Sequence, residues 1–187
     1  MARPDTARLF FALWPDATAR VHLARWATVL QRICGGRRTR DAQLHVTLAF
    51  LGDVPLARVG ELRALAASLA CPGFTLRFAA PGHWPRKRIA WAAPAPPPEG
   101  LAVLAARLGS GLDTIGLRMD DRPFFPHVTL LRDARCERLP EFEGFAWEVQ
   151  DFVLVESKLG SYRVIGQWPL AAGRHPPSAA AANRRRG

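Results

Sequence analysis

The residue types best suited to catalysis occur in two copies of one tetrapeptide, His45-Val46-Thr47-Leu48 and His127-Val128-Thr129-Leu130. Side chains of a β-strand alternate between its two faces, so each histidine points the same way as its threonine, about 7 Å along the strand. The valine and leucine of each copy then point into a core. Two such strands facing each other would surround one small anion with two imidazoles and two hydroxyls.

The chemistry that fits this arrangement is acid and base catalysis at phosphorus. An imidazole has an unperturbed pKa near 6.5, so one ring can be neutral while the other is protonated. The hydroxyls of Thr47 and Thr129 would donate hydrogen bonds to phosphate oxygens, and Arg132 would supply fixed positive charge. We therefore predict a site made of His45, Thr47, His127, Thr129 and Arg132 that needs no metal ion and no cofactor.

The simpler alternative is that each histidine is only a packed or surface residue. A single histidine in a strand is more often that than a catalyst, but a second copy with the same threonine favours function. The other histidines lack this context, since His22 falls in a predicted helix, His83 in a turn and His175 in the C-terminal tail.

Hydrophobic spacing and turn residues predict the helices and strands that hold the two motifs. Three helical stripes are predicted, the first starting at Pro15-Asp16 and ending at Gly35-Gly36, the second opening at Pro55 and the third running from Leu101 to Leu112. Gly52-Asp53 is expected to end the first His strand, and Arg37, Arg38 and Arg40 to lie in a loop. Further strands are predicted over residues 8–13, 74–78, 89–92, 147–155 and 162–170.

The proline-rich stretch Pro94 to Pro98 is the best candidate for a connection between two halves. Each half then contains a helix, a His strand and further strands, which suggests an internal duplication of a small α+β unit. We expect one two-lobed domain over residues 1–171, with the lobe crossing near 93–98, and a disordered basic tail over 172–187.

Composition narrows the class of partner. The formal charge is +10, and removing the four arginines of the tail leaves +6, which favours a polyanion such as RNA. No apolar run is long enough to span a membrane or to form a signal-peptide core, so a cytoplasmic protein is expected. We also expect a monomer. Cys34, Cys71 and Cys136 lack paired spacing and are interpreted as reduced thiols.

Longer segments around the two motifs carry a family resemblance. Leu44 to Gly52 and Arg122 to Arg132, with Arg8 to Ala12 and the strand from Tyr162 to Leu170, resemble the two-histidine phosphoesterase superfamily. Within it, they are similar to the bacterial and archaeal RNA 2′,3′-cyclic phosphodiesterases, also called 2′,5′ RNA ligases. The resemblance covers about residues 7 to 170.

This resemblance implies a bilobal fold with pseudo-twofold symmetry, in which both His-x-Thr strands line a central groove. It implies hydrolysis of a terminal 2′,3′-cyclic phosphate to a 2′-phosphate without a metal or nucleotide cofactor, and reversible 2′,5′ joining of RNA ends at the same site. By position, His45 is similar to the proton donor for the leaving 3′ oxygen. His127 is similar to the proton acceptor that activates water.

Two other functions stay open at this point. One is an RNA-binding module that holds a phosphate without cleaving it, and the other is a phosphodiesterase for a small cyclic phosphate metabolite. Alternation along the strand puts Phe50 on the same face as Val46 and Leu48, so it is expected to be buried in the core. Stacking of Phe50 on a nucleobase would require a bulge in the strand. Tyr162 and Arg163 are expected either to touch substrate or to cap a strand.

Overall fold

The computed structural model describes residues 5–117 and 123–171 of the chain. Residues 118–122 and the tail from 172 to 187, with His175, lie outside the described residues. In chain order the elements are β1 Thr6–Leu13, α1 Ala17–Cys34, β2 Arg37–Arg38, β3 Val46–Pro55, α2 Val59–Ser68, β4 Phe74–Trp84, β5 Ile89–Pro94, α3 Glu99–Thr114, β6 Val128–Arg132, β7 Phe145–Val149, β8 Asp151–Lys158 and β9 Ser161–Pro169.

The first helix shows how local sequence sets these boundaries. The carboxylate of Asp16 caps α1 by accepting a hydrogen bond from the amide of Ala19 at 2.7 Å. Gly35 ends the helix with φ +63°, a backbone angle that glycine adopts without strain. Leu23, Trp26 and Leu30 of the predicted apolar stripe are buried, whereas Ile33 near its end is exposed.

All the strands belong to one antiparallel sheet with the order β7-β4-β5-β6-β3-β1-β8-β9, and the short β2 pairs with β6. The two His strands, β3 and β6, are neighbours at the middle and pair at Val46 and Val128. On either side lie three further strands, so the order is pseudo-symmetric about this junction. The predicted α+β fold with antiparallel strands is confirmed.

The two halves of the sheet are not consecutive stretches of chain. α1 contacts β6 and β7, on the half opposite to its neighbour β1, whereas α3 contacts β3, and α2 contacts β9. Residues 95–98 do carry the chain from β5 to α3, but the chain also passes between halves after β1, β2, α2, α3 and β7. The first and third helices thus pack on the half of the sheet opposite to the strand that precedes each of them. The lobe boundary near 93–98 stays a prediction.

Three predicted boundaries are wrong. β3 continues through Gly52 to Pro55, because β1 pairs with it along that whole length. Arg37 and Arg38 form β2 rather than a loop, since β6 offers its edge to them. The stretch 147–155 is two strands, with β7 pairing to β4 and β8 pairing to β1 at opposite ends of the sheet.

The cysteine prediction is also corrected. Cys34, the last residue of α1, and Cys136 form a disulfide, with Cα atoms 4.5 Å apart. Only the buried Cys71 is a free thiol. Among the helices of the described residues, none is both long and apolar enough to cross a membrane.

Candidate active site

A groove of about 950 Å³ opens where β3 and β6 meet, and all five predicted site residues line it. Its described lining residues include no aspartate or glutamate. They do include six cationic side chains, Arg8, Arg37, Arg38, Arg40, Lys87 and Arg132. The electrostatic field of such a groove attracts an anion.

Both histidines are anchored in the same way. Nδ1 of His45 lies 2.6 Å from the carbonyl oxygen of Gln43, and Nδ1 of His127 lies 2.8 Å from that of Phe125. A carbonyl only accepts, so each Nδ1 carries the proton and donates it. A neutral ring therefore keeps its lone pair on Nε2, which is the nitrogen available for proton transfer.

The register of the two strands brings each threonine next to the opposite histidine. Because Val46 pairs with Val128 in an antiparallel arrangement, Thr47 lies level with His127, and His45 lies level with Thr129. The valines are fully buried, so the polar residues share the other face. The hydroxyl of Thr47 is also 3.1 Å from Nε2 of His45.

A β-bulge brings Arg132 into the groove. Strict alternation would put this residue on the buried side with Val128 and Leu130. Instead the pairing with β5 shifts by one residue between Ala90 and Trp91, and Leu130 and Leu131 are both buried. The extra residue reverses the alternation, so Arg132 returns to the face of Thr129.

A β-bulge also occurs in β3, and it shows that the predicted burial of Phe50 is wrong. The pairing of β3 with β1 shifts by one residue between Phe11 and Ala12, and Leu48 and Ala49 are both buried. Phe50 consequently lies in the groove with 42% of its surface exposed, and the guanidinium of Arg8 sits 4.9 Å from the centre of its ring. Phe50 is therefore a surface of the site and not part of the core.

Both imidazoles are biased toward the neutral form. Burial is the largest cause that lowers the pKa of His45 from 6.5, and the charges of His127 and Arg132 lower it further, against the hydrogen bond to Gln43. Burial also lowers the pKa of His127, with smaller contributions from Lys87 and Arg132. An anion bound between the rings would act in the opposite direction and favour protonation.

Two of the basic residues predicted to lie in a loop form ion pairs. Arg37 pairs with Asp133 at 3.1 Å, and Arg38 pairs with Asp41 at 2.9 Å. Gly36 allows this segment to approach β6, because a Cβ atom there would lie 2.5 Å from the carbonyl oxygen of Arg132. Arg132 makes no ion pair within the described part of the chain, and it lines the groove.

Aromatic rings enclose each histidine, and sequence reasoning missed most of them. The ring of His45 stacks on Trp14 with centroids 5.5 Å apart and also contacts Phe10 and Tyr162. Tyr162 therefore belongs to the site, whereas Arg163 pairs with Glu156 away from the groove. Phe10 lies opposite Phe50 on the neighbouring strand, a relationship that only the pairing of the strands reveals.

Across the groove, the ring of His127 lies 4.8 Å from Trp84 and 5.8 Å from Phe125. His22 and His83, the other histidines of the described residues, do not line the groove. His22 stacks on Phe145, and His83 lies near the carbonyl oxygen of Ala134. No group of three potential metal-ligating side chains occurs in residues 5–117 and 123–171.

A pseudo-symmetric antiparallel sheet whose two His-x-Thr strands line one basic groove defines a two-histidine phosphoesterase. The model of the LigT-like phosphoesterase family matches residues 13–91 and 92–166. The chain therefore belongs to this family. Each matched segment carries one His-x-Thr motif, as expected for an internal duplication.

Named relatives and solved structures agree with this assignment. The chain is 37% identical to an RNA 2′,3′-cyclic phosphodiesterase of Escherichia coli, covering 91% of this chain and 99% of the relative. It is 33% identical to an RNA 2′,3′-cyclic phosphodiesterase of Thermus thermophilus, covering 81% and 82%. The crystal structure of E. coli LigT complexed with 3′-AMP matches with a TM-score of 0.81 and 35% identity, covering 89% of this chain and 99% of that one.

Proposed function

We propose that this protein is an RNA 2′,3′-cyclic phosphodiesterase that hydrolyses a terminal 2′,3′-cyclic phosphate to a 2′-phosphate. The observation that carries the proposal is the pair of imidazoles, each held by its Nδ1 so that Nε2 serves one groove that six cations line. The family assignment and the names of the relatives point to the same reaction.

In the proposed reaction, Nε2 of His127 takes a proton from water as its oxygen attacks phosphorus. The bond from phosphorus to the 3′ oxygen breaks, and protonated His45 gives its proton to that oxygen. Thr47, Thr129 and Arg132 donate hydrogen bonds to the non-bridging oxygens, where negative charge increases in the transition state. The roles of the two histidines follow the family resemblance, and no step calls for a metal ion or a cofactor.

The groove is larger than a single phosphate requires, which supports an RNA end as the substrate. Phe50 offers an exposed ring on which a nucleobase can stack. Arg40 and Lys87 add positive charge for further phosphates. A small cyclic phosphate metabolite would contact neither the ring of Phe50 nor the charges of Arg40 and Lys87.

A module that only binds RNA is the weaker candidate. Burial keeps both histidines neutral at neutral pH, so they would add little to phosphate binding, whereas arginine or lysine would add more. Imidazoles whose Nε2 lone pair is directed into the groove are instead suited to accept a proton and, once protonated, to donate it.

One chain supplies every residue of the site, which supports a monomeric enzyme. We place it in the cytoplasm because its proposed substrate is RNA. Disulfides such as Cys34–Cys136 are more common in proteins outside the cytoplasm. The redox state of these two cysteines in cells therefore tests the proposed cytoplasmic location.

The test is turnover of adenosine 2′,3′-cyclic phosphate, with the position of the product phosphate determined. We expect a 2′-phosphate product, insensitivity to chelators and loss of about 10²- to 10⁴-fold in rate for His45→Ala and for His127→Ala. His22→Ala, away from the groove, is the matched control. Full activity in either groove variant would contradict the mechanism, and turnover that a chelator abolishes would indicate a metal enzyme instead.

Binding of an oligonucleotide with a cyclic end distinguishes the substrate classes. An RNA substrate should show a steep decrease of affinity with salt, because several phosphate contacts release several counterions. A shallow slope, equal to that of the mononucleotide, would favour the small metabolite.

A further inference from the structure

The two imidazoles of the groove have different aromatic surroundings, although their backbone anchors are alike. The ring of His45 lies face to face with the indole of Trp14, at a centroid distance of 5.5 Å and an interplanar angle of 11°. The ring of His127 lies 4.8 Å from that of Trp84 at an angle of 74°, so these two rings are not stacked. The pseudo-symmetry of the sheet therefore does not extend to the rings around the two histidines.

Trp14 belongs to an aromatic box around His45 that Phe10 and Tyr162 complete. The Phe10 ring lies 5.0 Å from the imidazole, and Tyr162 lies nearly perpendicular to it, at 83° and 5.5 Å. The box is itself packed, since Phe10 and Tyr162 lie 5.1 Å apart. Phe10 also shares a small buried cluster with Val153, separate from the main core, against which Trp14 and Tyr162 pack. Contacts on several sides thus fix the indole relative to the imidazole.

A stacked indole favours the protonated form of an imidazole. The face of an aromatic ring carries negative charge, and a cation within about 6 Å of the ring centre is attracted to it. The attraction increases when the cation is removed from water, as it is for His45 inside a box of apolar rings. A neutral imidazole has no net charge to be attracted, so the contact shifts the balance toward the protonated ring.

Most other groups around His45 oppose its protonation. Burial lowers its pKa most, and the charges of His127 and Arg132 lower it further. The hydrogen bond from Nδ1 to the carbonyl oxygen of Gln43 acts in the opposite direction, but His127 makes an equivalent bond, so this contact does not distinguish the two rings. On the strands around His45, the charged or titratable groups that line the groove are Arg8 of β1, His127 and Arg132 of β6, and Tyr162 of β9.

The neighbours of His127 favour its neutral form. The ammonium of Lys87 lies 5.0 Å from the centre of the Trp84 ring, so this ring already attracts a cation. Burial lowers the pKa of His127, and the charge of Lys87 lowers it further. A proton on His127 would therefore lie near a second cation, whereas a proton on His45 lies against an aromatic face.

We propose that Trp14 is a positioning residue for hydrolysis, whose indole face stabilises protonated His45 so that the one proton the reaction needs is held by His45 and not by His127. This inference rests on the proposed function. It gives a physical reason for His45 as the proton donor, a role otherwise taken from the family resemblance. After one turnover the proton taken from water is on His127, and the same contact favours a return to protonated His45 through exchange with solvent.

The first experiment titrates the two imidazoles separately by NMR, in protein with isotopically labelled histidine and without substrate. His45→Asn and His127→Asn assign the signals. We expect His45 to protonate at a higher pH than His127 in wild type. Trp14→Leu, which puts an apolar side chain in place of the indole, should lower the pKa of His45 by about 0.4 to 1.5 pH units and should not lower that of His127. Trp14→Phe, which keeps an aromatic face, should lower it less.

A second measurement separates the electrostatic effect of the indole from its packing. Growth on fluorotryptophan withdraws electron density from the face of the ring and hardly changes its shape. Fluorinated wild type should therefore show a lower pKa of His45 than wild type with ordinary tryptophan. Trp14→Phe is the matched control, because fluorination of the remaining tryptophans should leave the titration of His45 unchanged in that variant.

The pH profile of hydrolysis shows the consequence for catalysis. The basic limb of kcat/KM reports loss of the proton from the acid group, so Trp14→Leu should move this limb to lower pH by the same amount. The acidic limb, which reports the base, should stay in place. A variant that was only less well folded would lose activity at every pH without moving either limb.

The outcomes separate this inference from the function on which it rests. Fluorinated wild type that titrates like ordinary wild type overturns the inference even where Trp14→Leu has an effect, because packing alone would then explain that effect. A wild type in which His127 protonates at the higher pH overturns it as well. If wild type does not hydrolyse adenosine 2′,3′-cyclic phosphate, the proposed function fails, while the titration still decides whether Trp14 stabilises protonated His45.

Discussion

Phe50 and Arg132 occupy the same place in the two copies of the motif, each five residues after its histidine and each returned to the groove by a bulge of two buried residues. The backbone is thus duplicated while the chemistry at this place is not. One copy presents an aromatic ring, and the other presents a permanent positive charge. This difference gives a pseudo-symmetric groove two unlike ends.

Replacing Arg132 should reduce catalysis and change its pH dependence together. We expect Arg132→Ala to lower kcat/KM by about 10²- to 10³-fold, the usual effect of losing one donor to a developing negative charge. The positive charge lowers the pKa of both histidines, so its removal should move the pH profile upward. Steady-state kinetics from pH 5 to pH 8 test both effects.

A control for this variant is Arg25→Ala, which removes an exposed charge on α1 that does not line the groove. It should change neither kcat/KM nor the pH profile. Arg132→Lys should recover part of the rate, since the charge returns without the planar fork of donors. An unshifted profile in Arg132→Ala would show that this side chain does not face the imidazoles.

Replacing Phe50 should weaken binding of substrates that carry a base. Stacking of one base on an aromatic ring is worth about 1–3 kcal/mol, so Phe50→Ala should raise KM for adenosine 2′,3′-cyclic phosphate by roughly 5- to 150-fold. Phe50→Trp should keep a low KM. Glycerol 1,2-cyclic phosphate has no base and serves as the control substrate, for which wild type and Phe50→Ala should be equal.

These two residues also show where sequence reasoning succeeds and where it stops. The His-x-Thr copies, the cap at Asp16 and the helical stripes depend on neighbours in sequence, and all were predicted. A β-bulge depends on how a strand pairs with a partner that is distant in the sequence. The alternation of apolar and polar residues along one strand therefore does not predict it. The prediction from alternation that Phe50 is buried is therefore wrong. Strict alternation would have predicted a buried Arg132 as well.

The same reason explains the missed aromatic rings and the missed disulfide. Trp84 is 43 positions away from His127 in the chain, and Cys34 is 102 positions away from Cys136. Both contacts arise because separate elements converge on the two ends of β6. Residue types and spacing led to the candidate residues that line the groove, whereas the fold decides which side chains surround them.

The pH dependence of hydrolysis follows from the lowered pKa of His45 and of His127. One ring must be protonated and the other neutral, so kcat/KM should be bell-shaped, with both limbs below the ordinary value of 6.5. The maximum should consequently lie on the acidic side of pH 6.5. A maximum above pH 7 would contradict the effect of burial on these rings.

The same shifts predict how stability depends on pH. The unfolded chain binds protons at these histidines more readily than the folded chain does, so the free energy of unfolding should decrease as pH falls below 6.5. Urea unfolding at pH 7.5 and pH 5.5 measures this loss. The double variant His45→Asn/His127→Asn, which has no ring to titrate there, should lose less.

The Cys34–Cys136 disulfide should contribute to the stability of the oxidised protein. It joins the end of α1 to the segment after β6 and closes a loop of about 100 residues, for which the expected stabilisation is about 2–5 kcal/mol. Urea unfolding should therefore show a lower midpoint for wild type in reductant than without it. Cys34→Ser/Cys136→Ser should match reduced wild type and should not respond to reductant, while Cys71→Ala, which changes a buried free thiol, should still respond. Mass spectrometry that found three free thiols in the protein purified without reductant would contradict this pairing.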